Sequence, residues 1–406
     1  MNQPRIIFSV LASFLFVLGS RGASTNELAV AVAQIDSARI LRLADDALAL
    51  TPLAITDFRA TNSPAGPHDF YSQADYYWPN PETKSGLPYI NRDGFTNPDN
   101  FEQHRLAMRR MKDAVAALAA AYVVTGDDAY VSKAQQLLRV FFFDDETKMN
   151  PSLDYAQAIL GASKGTPLGI IDTLHLAEVA VSIRFLEQSS AFDPAVDAGL
   201  KKWFADYIHW MTTSNKGKSE MKAPNNHSIA YCLQLASFAQ LVDDRTNLAL
   251  ARLRFEQILL PRQMATNGSF QRELRRTKPY NYSVFQAENV ATLCVLLSTP
   301  QQDLWSFELP RGMTPLRSME FIYPYLADKQ KWLDDGRRQD VMHWNSYPVR
   351  ESCLIFAYAE TGNSAYFDLW NRLDPDPTDL EVRRNIAITQ PLLWLARPSD
   401  VPLLPP

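Results

Sequence analysis

The sequence predicts an all-α protein whose helices pair and close into an (α/α) toroid, that is, an incomplete α/α barrel around a central cleft. Apolar residues recur at helical spacing through most of the 406-residue chain. Short breaks rich in Gly, Pro, Asp and Asn separate these segments, and no convincing run of alternating strand residues interrupts them. No crisp repeat of fixed length is visible, which argues against an ordinary helical repeat array and favours the closed toroid over an open solenoid.

The predicted helices begin with Leu106–Val123, where apolar residues fall at i, i+3, i+4 and i+7. Asp127 and Asp128 then offer an N-cap for a helix over Ala129–Phe143. The other predicted helices are Ile170–Glu187, Pro194–Thr213, Ser228–Leu241, Leu248–Met264, Val284–Leu297, Thr314–Leu326, Arg350–Thr361, Ala365–Asn371 and Arg383–Leu395. Such helices must pack in pairs to bury their apolar stripes, which is the physical basis of the toroid.

Two long stretches lack helical periodicity. The first, Phe58–Asn100, is rich in Pro, Asn, Gly and aromatic residues, and the second, Thr266–Ser283, mixes cationic residues with two tyrosines. Long loops inside a compact domain are usually functional or disordered, and the aromatic content argues against disorder. Neither stretch is typical of a linker, so we expect one domain over residues 24–406.

The N-terminal segment, residues 1–23, is predicted to be a signal peptide. Arg5 precedes the apolar run Ile6–Leu18, and small residues follow from Ser20 to Ala23. The run is short for a bilayer span. We therefore expect a secreted or periplasmic protein, with no membrane attachment after the segment is removed.

Composition limits the partners. The formal net charge is -5 and no long basic run is present, so nucleic acid is not an expected partner. A protein of this charge that binds a polyanion needs a local cationic cleft rather than a global positive field. The sequence has no zinc, EF-hand, Walker or Rossmann motif, so we expect neither a metal nor a cofactor. We expect the protein to be a monomer.

The first chemical motif is Pro224-Asn-Asn-His-Ser228, which directly precedes the apolar segment Ile229–Leu241. In the structural interpretation, Asn225 or Asn226 is only an N-cap. In the functional interpretation, the free N–H groups of the helix start, an amide and the imidazole of His227 hold a carboxylate.

The second motif is the cationic stretch Gly268–Ser283, which leads through Pro279 into Tyr280 and Tyr282. It is either a solvated basic loop with packed aromatic rings or a carboxylate-binding element, because arginine can bind a carboxylate through two hydrogen bonds. Fixed positive charge favours a phenolate, so the pKa of a tyrosine here is expected to fall.

Together the two motifs favour β-elimination on a 4-O-linked uronate. The C5 proton of such a sugar is weakly acidic, because the neighbouring carboxylate is already negative. An enzyme must neutralise that carboxylate, take the C5 proton and protonate the O4 leaving group. A set of Asn, His, Arg and Tyr side chains can do all three without a metal.

The chain also resembles the alginate-lyase domain family, which includes polysaccharide lyase families 5 and 38. The stretch from Glu273 to Ser283 is similar to the family pattern E-L-x-R-T-x-P-x-x-Y-S, and the stretch from Tyr71 to Gly94 resembles its N-terminal signature. The resemblance spans roughly Asp57 to Trp370. The Arg-to-Tyr spacing is more similar to the family 38 side.

The resemblance implies a toroid with a central substrate cleft and a polysaccharide lyase acting on alginate, polymannuronate or glucuronan. Asn226, His227 and Arg276 would neutralise the carboxylate, and Tyr282 would be the acid. Either His227 or Tyr282 would be the base, His227 for one C5 epimer and Tyr282 for the other. Further candidates for substrate binding are Tyr76, Tyr77, Trp78, His175, Arg275 and Tyr280.

Two other functions stay open on the sequence. A glycoside hydrolase on a similar toroid would act with two carboxylates, for which Asp75, Asp172 and Glu273 are candidates. A non-catalytic glycan-binding protein would keep the toroid without turnover.

Overall fold

The structure is a computed structural model that describes residues 25–404. The predicted signal peptide, residues 1–23, lies outside the described residues. Seventeen α-helices cover most of the described chain: α1 Thr25–Leu48, α2 Gln103–Thr125, α3 Asp128–Leu138, α4 Leu176–Leu186, α5 Pro194–Thr213, α6 Asn215–Glu220, α7 Asn226–Leu241, α8 Arg245–Arg254, α9 Leu260–Gln263, α10 Gln271–Leu274, α11 Pro279–Leu297, α12 Arg317–Ala327, α13 Gln330–Asp334, α14 Ser352–Thr361, α15 Ser364–Arg372, α16 Leu380–Asn385 and α17 Leu392–Leu395.

The helices form an α/α toroid, as predicted. An inner series runs α2–α4–α7–α11–α14, each helix packing on the next, while α1, α3, α5, α8, α12 and α15 pack outside it. Helices α4, α7 and α11 are buried on nearly every side, because inner helices contact protein all round. Helix α17 packs against α1, α2, α4 and α11, so the C-terminal region joins the first and later helices of the series.

The aromatic loop Phe58–Asn100 is ordered and anchored by two small sheets. Strand β1 (Tyr71–Gln73) pairs in parallel with β4 (Tyr155–Ala158), and β2 (Tyr77–Trp78) pairs antiparallel with β3 (Ile90–Asn91). These pairings hold the loop against the helices and bring Tyr76 and Asp93 to the cleft.

Several predicted helices differ from the structure, and for two of them the local packing shows the cause. The segment predicted as Ile170–Glu187 opens with a 3₁₀ helix over Pro167–Thr173, in which Gly169 lies so close to the Ala156 backbone that a Cβ would overlap it. The segment predicted as Arg383–Leu395 is two short helices. Pro391 disfavours helix in the residue before it, and the backbone N–H groups there donate to the buried Glu178 carboxylate instead.

Two further observations concern membrane spans and the cysteines. Within residues 25–404, no helix combines the length and the apolar character needed to cross a membrane. The three cysteines are buried free thiols.

Candidate active site

A cleft of about 320 Å³ lies at the centre of the toroid. Its walls come from the aromatic loop, α2, α7, the start of α11 and α16. The candidate residues that line it are Tyr76, Tyr77, His175, Asn226, His227, Arg276 and Tyr282. The structure therefore brings together all four residues predicted to be catalytic, which lie far apart in the chain.

Asn226 is the first residue of α7 and is held by Glu273. Its backbone N–H donates to one carboxylate oxygen of Glu273 at 2.9 Å, and its Nδ2 donates to the other at 2.6 Å. Burial raises the pKa of Glu273, while the two bonds from Asn226 oppose that rise. This clamp joins the two sequence motifs and leaves the second N–H of the amide for a ligand.

His227 forms a dyad with Glu220, at the end of α6. The imidazole Nδ1 lies 2.5 Å from Glu220 Oε1. Burial disfavours the imidazolium of His227, but the stabilisation of that charge by the Glu220 carboxylate is larger. The pKa of His227 is therefore raised. Glu220 thereby keeps the proton on Nδ1, and Nε2 has no hydrogen-bond partner among the described residues.

Arg276 is oriented by Asp93 from the aromatic loop. Its Nη2 lies 2.7 Å and its Nε 3.3 Å from the two oxygens of Asp93, and Thr277 Oγ1 also donates to Asp93. Burial opposes the charge of Arg276, yet Asp93 keeps its pKa above the usual range. Within the described chain Nη1 makes no hydrogen bond, so it remains available to a substrate carboxylate.

Tyr282, in the first turn of α11, lies at the centre of the site. Arg276 Nη2 donates to its hydroxyl at 3.1 Å, and the guanidinium lies 4.1 Å from the ring centroid. The Tyr76 hydroxyl is 2.8 Å from the Tyr282 hydroxyl and accepts from Arg384 Nη2 at 3.1 Å. Two arginines thus converge on one phenol pair.

The expectation of a lowered pKa for Tyr282 is wrong. Burial raises its pKa well above the usual value, Tyr76 adds to the rise, and Arg276 only opposes it. The cause is desolvation, which penalises a phenolate more than one guanidinium stabilises it. Tyr282 is a neutral phenol at rest and can act as a proton donor.

Two of the carboxylates proposed for a hydrolase, Asp75 and Asp172, line the cleft but are already bound by other side chains. Asp75 binds Arg105 at 2.6 Å and Arg384 at 3.0 Å, while Asp172 accepts from Ser72 and Gln157. Burial raises the pKa of Asp172. Burial also opposes the charge of Asp75, but Arg105 and Arg384 keep the pKa of Asp75 below its usual value. Both carboxylates therefore belong to a buried charge network that supports Tyr76 through Arg384.

Comparisons with known proteins decide the family. The sequence profile of the alginate lyase family matches residues 54–332. The chain belongs to the alginate lyase family. No curated protein sequence matches it significantly.

Solved structures of alginate lyases share the fold of this lyase. An alginate lyase from Bacteroides ovatus is 29% identical with a TM-score of 0.76, over 91% of this chain and 100% of that chain. Alginate lyase A1-III from Sphingomonas species A1 is 14% identical with a TM-score of 0.52, over 83% and 89%. A histidine-to-alanine variant of A1-III complexed with a tetrasaccharide is 15% identical with a TM-score of 0.56, over 88% and 93%.

Family membership makes this protein a polysaccharide lyase, an enzyme whose substrate is a polysaccharide. It excludes the glycoside hydrolase and the non-catalytic protein as the main function. The match does not separate families 5 and 38, so the narrower placement stays a prediction.

Three candidate binding residues of the lyase do not line the cleft. Tyr280 was wrongly predicted, because it is fully buried with its hydroxyl donating to the Tyr325 carbonyl. Arg275 is exposed and lines a different cavity, because the short helix α10 ends there and only Arg276 turns inward. Trp78 donates its indole N–H to the Phe95 carbonyl beneath Arg92, so it pins the loop outside the cleft.

Three functional contacts of the lyase were missed by the sequence analysis. Asp93, Glu220 and Arg384 each position a predicted residue. Asp93 had a signal, because it precedes Gly94 in the stretch that resembles the family. Glu220 and Arg384 lie outside every motif, and Arg384 also lies beyond the matched residues 54–332.

Among residues 25–404, no group of three or more His, Cys, Asp or Glu side chains is arranged to hold a metal ion.

Proposed function

We propose that this lyase cleaves 1,4-linked polyuronates of the alginate type by metal-independent β-elimination, leaving a 4,5-unsaturated uronate at the new end. The observation that supports this most is the convergence of Asn226, His227, Arg276 and Tyr282 on one cleft. The similar solved structures are of alginate lyases, one of them with a bound tetrasaccharide.

The first task is to neutralise the C6 carboxylate. Arg276 Nη1 and the second amide N–H of Asn226 can both donate to it, and Asp93 and Glu273 hold the two donors in place. Donors oriented in advance at a site of developing charge commonly contribute most to enzyme catalysis. They allow the carboxylate to take up charge as the C5 proton leaves.

The second task is proton transfer. A base takes the C5 proton, and the electron pair of the C5–H bond passes into the neutralised C6 carboxylate. That pair forms the C4=C5 double bond as the C4–O4 bond breaks, and O4 leaves with the electron pair of that bond and takes a proton from the neutral phenol of Tyr282. Arg276 compensates the charge left on the phenol oxygen, from which its Nη2 lies 3.1 Å.

The base depends on which face of the ring carries the C5 hydrogen. In mannuronate and glucuronate this hydrogen and O4 lie on the same face, so Tyr282 serves both steps. The neutral phenol first releases its proton to solvent as the substrate binds, and Arg276 stabilises the resulting phenolate. The phenolate then takes the C5 proton and returns it to O4. In guluronate they lie on opposite faces, so Nε2 of His227 takes the proton and Tyr282 donates to O4. Glu220 holds the imidazole in the required tautomer, as a carboxylate does in other catalytic dyads.

We also propose that residues 24–406 form a single catalytic domain, secreted or periplasmic and monomeric after removal of residues 1–23. The N-terminal charge and apolar pattern supports the export signal.

The test compares three polymers. Purified lyase is incubated with polymannuronate, polyguluronate and β-1,4-glucuronan, and the ultraviolet absorbance of the C4=C5 bond is followed together with reducing ends. We expect both signals to rise in step on at least one polymer and to persist in EDTA. Reducing ends without the absorbance, or a strict need for added calcium, would contradict the proposal.

A further inference from the structure

A second cavity, of about 630 Å³, lies beside the catalytic cleft. Ligand pockets commonly measure about 300–1,000 Å³. Its walls come from α1, α2, α16 and the segment that follows α16. Arg109 and His175 line both cavities, so the second cavity adjoins the cleft.

The second cavity has uncompensated positive charge. Its aspartates are already in ion pairs with arginines: Asp36 with Arg350, Asp46 with Arg42, Asp113 with Arg383 and Asp376 with Arg39. The lining arginines Arg109 and Arg110 form neither an ion pair nor a hydrogen bond within residues 25–404. An anionic ligand is therefore complementary to this surface.

Arg109 lies at the boundary between the two cavities, close to two other arginines. Burial lowers its pKa to about 10, and the nearby charges of Arg105 and Arg384 add to that effect. Both of those arginines are already paired with Asp75, whereas Arg109 is not. A carboxylate bound beside Arg109 would compensate its charge and accept two hydrogen bonds.

His175 can accept a hydrogen bond from a ligand at the same boundary. Its Nε2 lies 3.1 Å from the carbonyl oxygen of Arg384, which only accepts, so Nε2 carries the hydrogen. Burial keeps the pKa of His175 well below its usual value, so Nδ1 has a free lone pair. Nδ1 is buried and has no partner in the described chain. A sugar hydroxyl can donate to it, and a uronate carries both hydroxyls and a carboxylate.

We propose that the second cavity binds further uronate units of the polysaccharide chain held in the cleft. Arg109 and Arg110 bind carboxylates of successive units, and His175 accepts a hydrogen bond from a sugar hydroxyl. This inference rests on the proposed function, because both cavities take the same polyuronate.

The test measures affinity against chain length. Oligouronates from the dimer to the octamer are titrated by calorimetry into Tyr282→Phe protein, in which we expect turnover too slow to disturb the measurement, and into the same protein carrying Arg110→Ala. We expect Arg110→Ala to raise the Kd of the longer oligomers by about three- to tenfold and to leave the dimer unchanged. Arg110 is exposed, so its removal should not unfold the protein. Arg245→Ala, an exposed arginine of α8 that lines neither cavity, is the matched control and should change no Kd.

Two outcomes overturn the inference. Equal Kd values with and without Arg110 at every length would mean that the cavity holds no uronate. An equal loss for the dimer and the octamer would mean an independent site for small acidic sugars rather than an extension of the cleft. Neither outcome affects the absorbance assay on wild-type protein, whereas a wild-type protein that yields no unsaturated product would refute the proposed function itself.

Discussion

The phenol of Tyr282 is the side chain on which the proposed chemistry depends most. Its hydroxyl contacts Arg276 and Tyr76, and its ring packs under the Arg276 guanidinium. Removing the hydroxyl removes the proton donor to O4 but keeps the cationic groups that bind the carboxylate.

We predict that Tyr282→Phe lowers kcat by about 10²–10⁴-fold, the usual share of general acid–base catalysis. Because one hydrogen-bonding group is lost, polyuronate Kd should change by less than about tenfold. Absorbance assays and calorimetry measure the two effects. The control is Tyr358→Phe, because Tyr358 is a partly buried tyrosine of α14 that does not line the cleft. A Tyr282→Phe protein that keeps its kcat would contradict the proposed role of the phenol.

Glu220 gives a second prediction, on pH dependence. Because its carboxylate raises the pKa of His227, the neutral base is present only above that raised pKa. We expect Glu220→Gln to lower the pKa of His227, so that the acidic limb of kcat/KM on polyguluronate moves to lower pH and its plateau falls. Glu187→Gln, which breaks a remote ion pair with Lys201, should leave the profile unchanged. An unmoved acidic limb in Glu220→Gln would mean that His227 is not the base.

The sequence predicts the reacting side chains better than the residues that position them. Asn226, His227, Arg276 and Tyr282 belong to two compact motifs whose residue types match one reaction. Their partners come from loops and helix ends that only tertiary folding brings near. The pKa of Tyr282 was mispredicted for the same reason, since its burial depends on packing that no local pattern contains.

At the scale of elements, the aromatic loop is fixed where it meets the Arg276–Thr277 segment. Gly94 has φ 83°, and a Cβ there would overlap Thr277 Oγ1. Only glycine combines this backbone conformation with this close approach. The contact places Asp93 against Arg276.

We predict that Gly94→Ala destabilises the fold by about 1–2 kcal/mol and lowers kcat, because Asp93 moves away from Arg276. Thermal unfolding and initial rates measure the two effects. Gly336→Ala is the matched control, since Gly336 has φ 73° with open space around the added Cβ. Gly336→Ala should lower the stability without lowering kcat. Equal activity in the two variants would mean that the position of Asp93 does not depend on the backbone conformation of Gly94.

Helix prediction succeeds where amphipathic spacing and capping agree. Pro194–Thr213 begins and ends as predicted, with Asp193 capping Ala195. Helix prediction fails where a buried carboxylate accepts hydrogen bonds from backbone N–H groups, as Glu178 does beside Pro391. Apolar spacing continues through that segment, so the pattern alone cannot show the break.

At the scale of the whole molecule, one hydrophobic core extends from Leu28 in α1 to Leu395 in α17. Helix α17 contacts both the early and the late helices of the toroid. We predict that mature protein unfolds in a single calorimetric transition and that a bound tetrauronate raises its midpoint in the Tyr282→Phe variant. Two separable transitions would contradict a single catalytic domain over residues 24–406.

The proposed mechanism requires one sugar carboxylate to meet the amide, the imidazole and the guanidinium in the same cleft. The most direct measurement is a crystal structure of the Tyr282→Phe variant with a bound tetrauronate. We expect one C6 carboxylate within about 3 Å of Arg276 Nη1 and the Asn226 amide, with His227 beside it and the edge of the substituted phenyl ring facing C5 and O4. A tetrauronate whose carboxylates all point to solvent, or that lies outside this cleft, would contradict the mechanism.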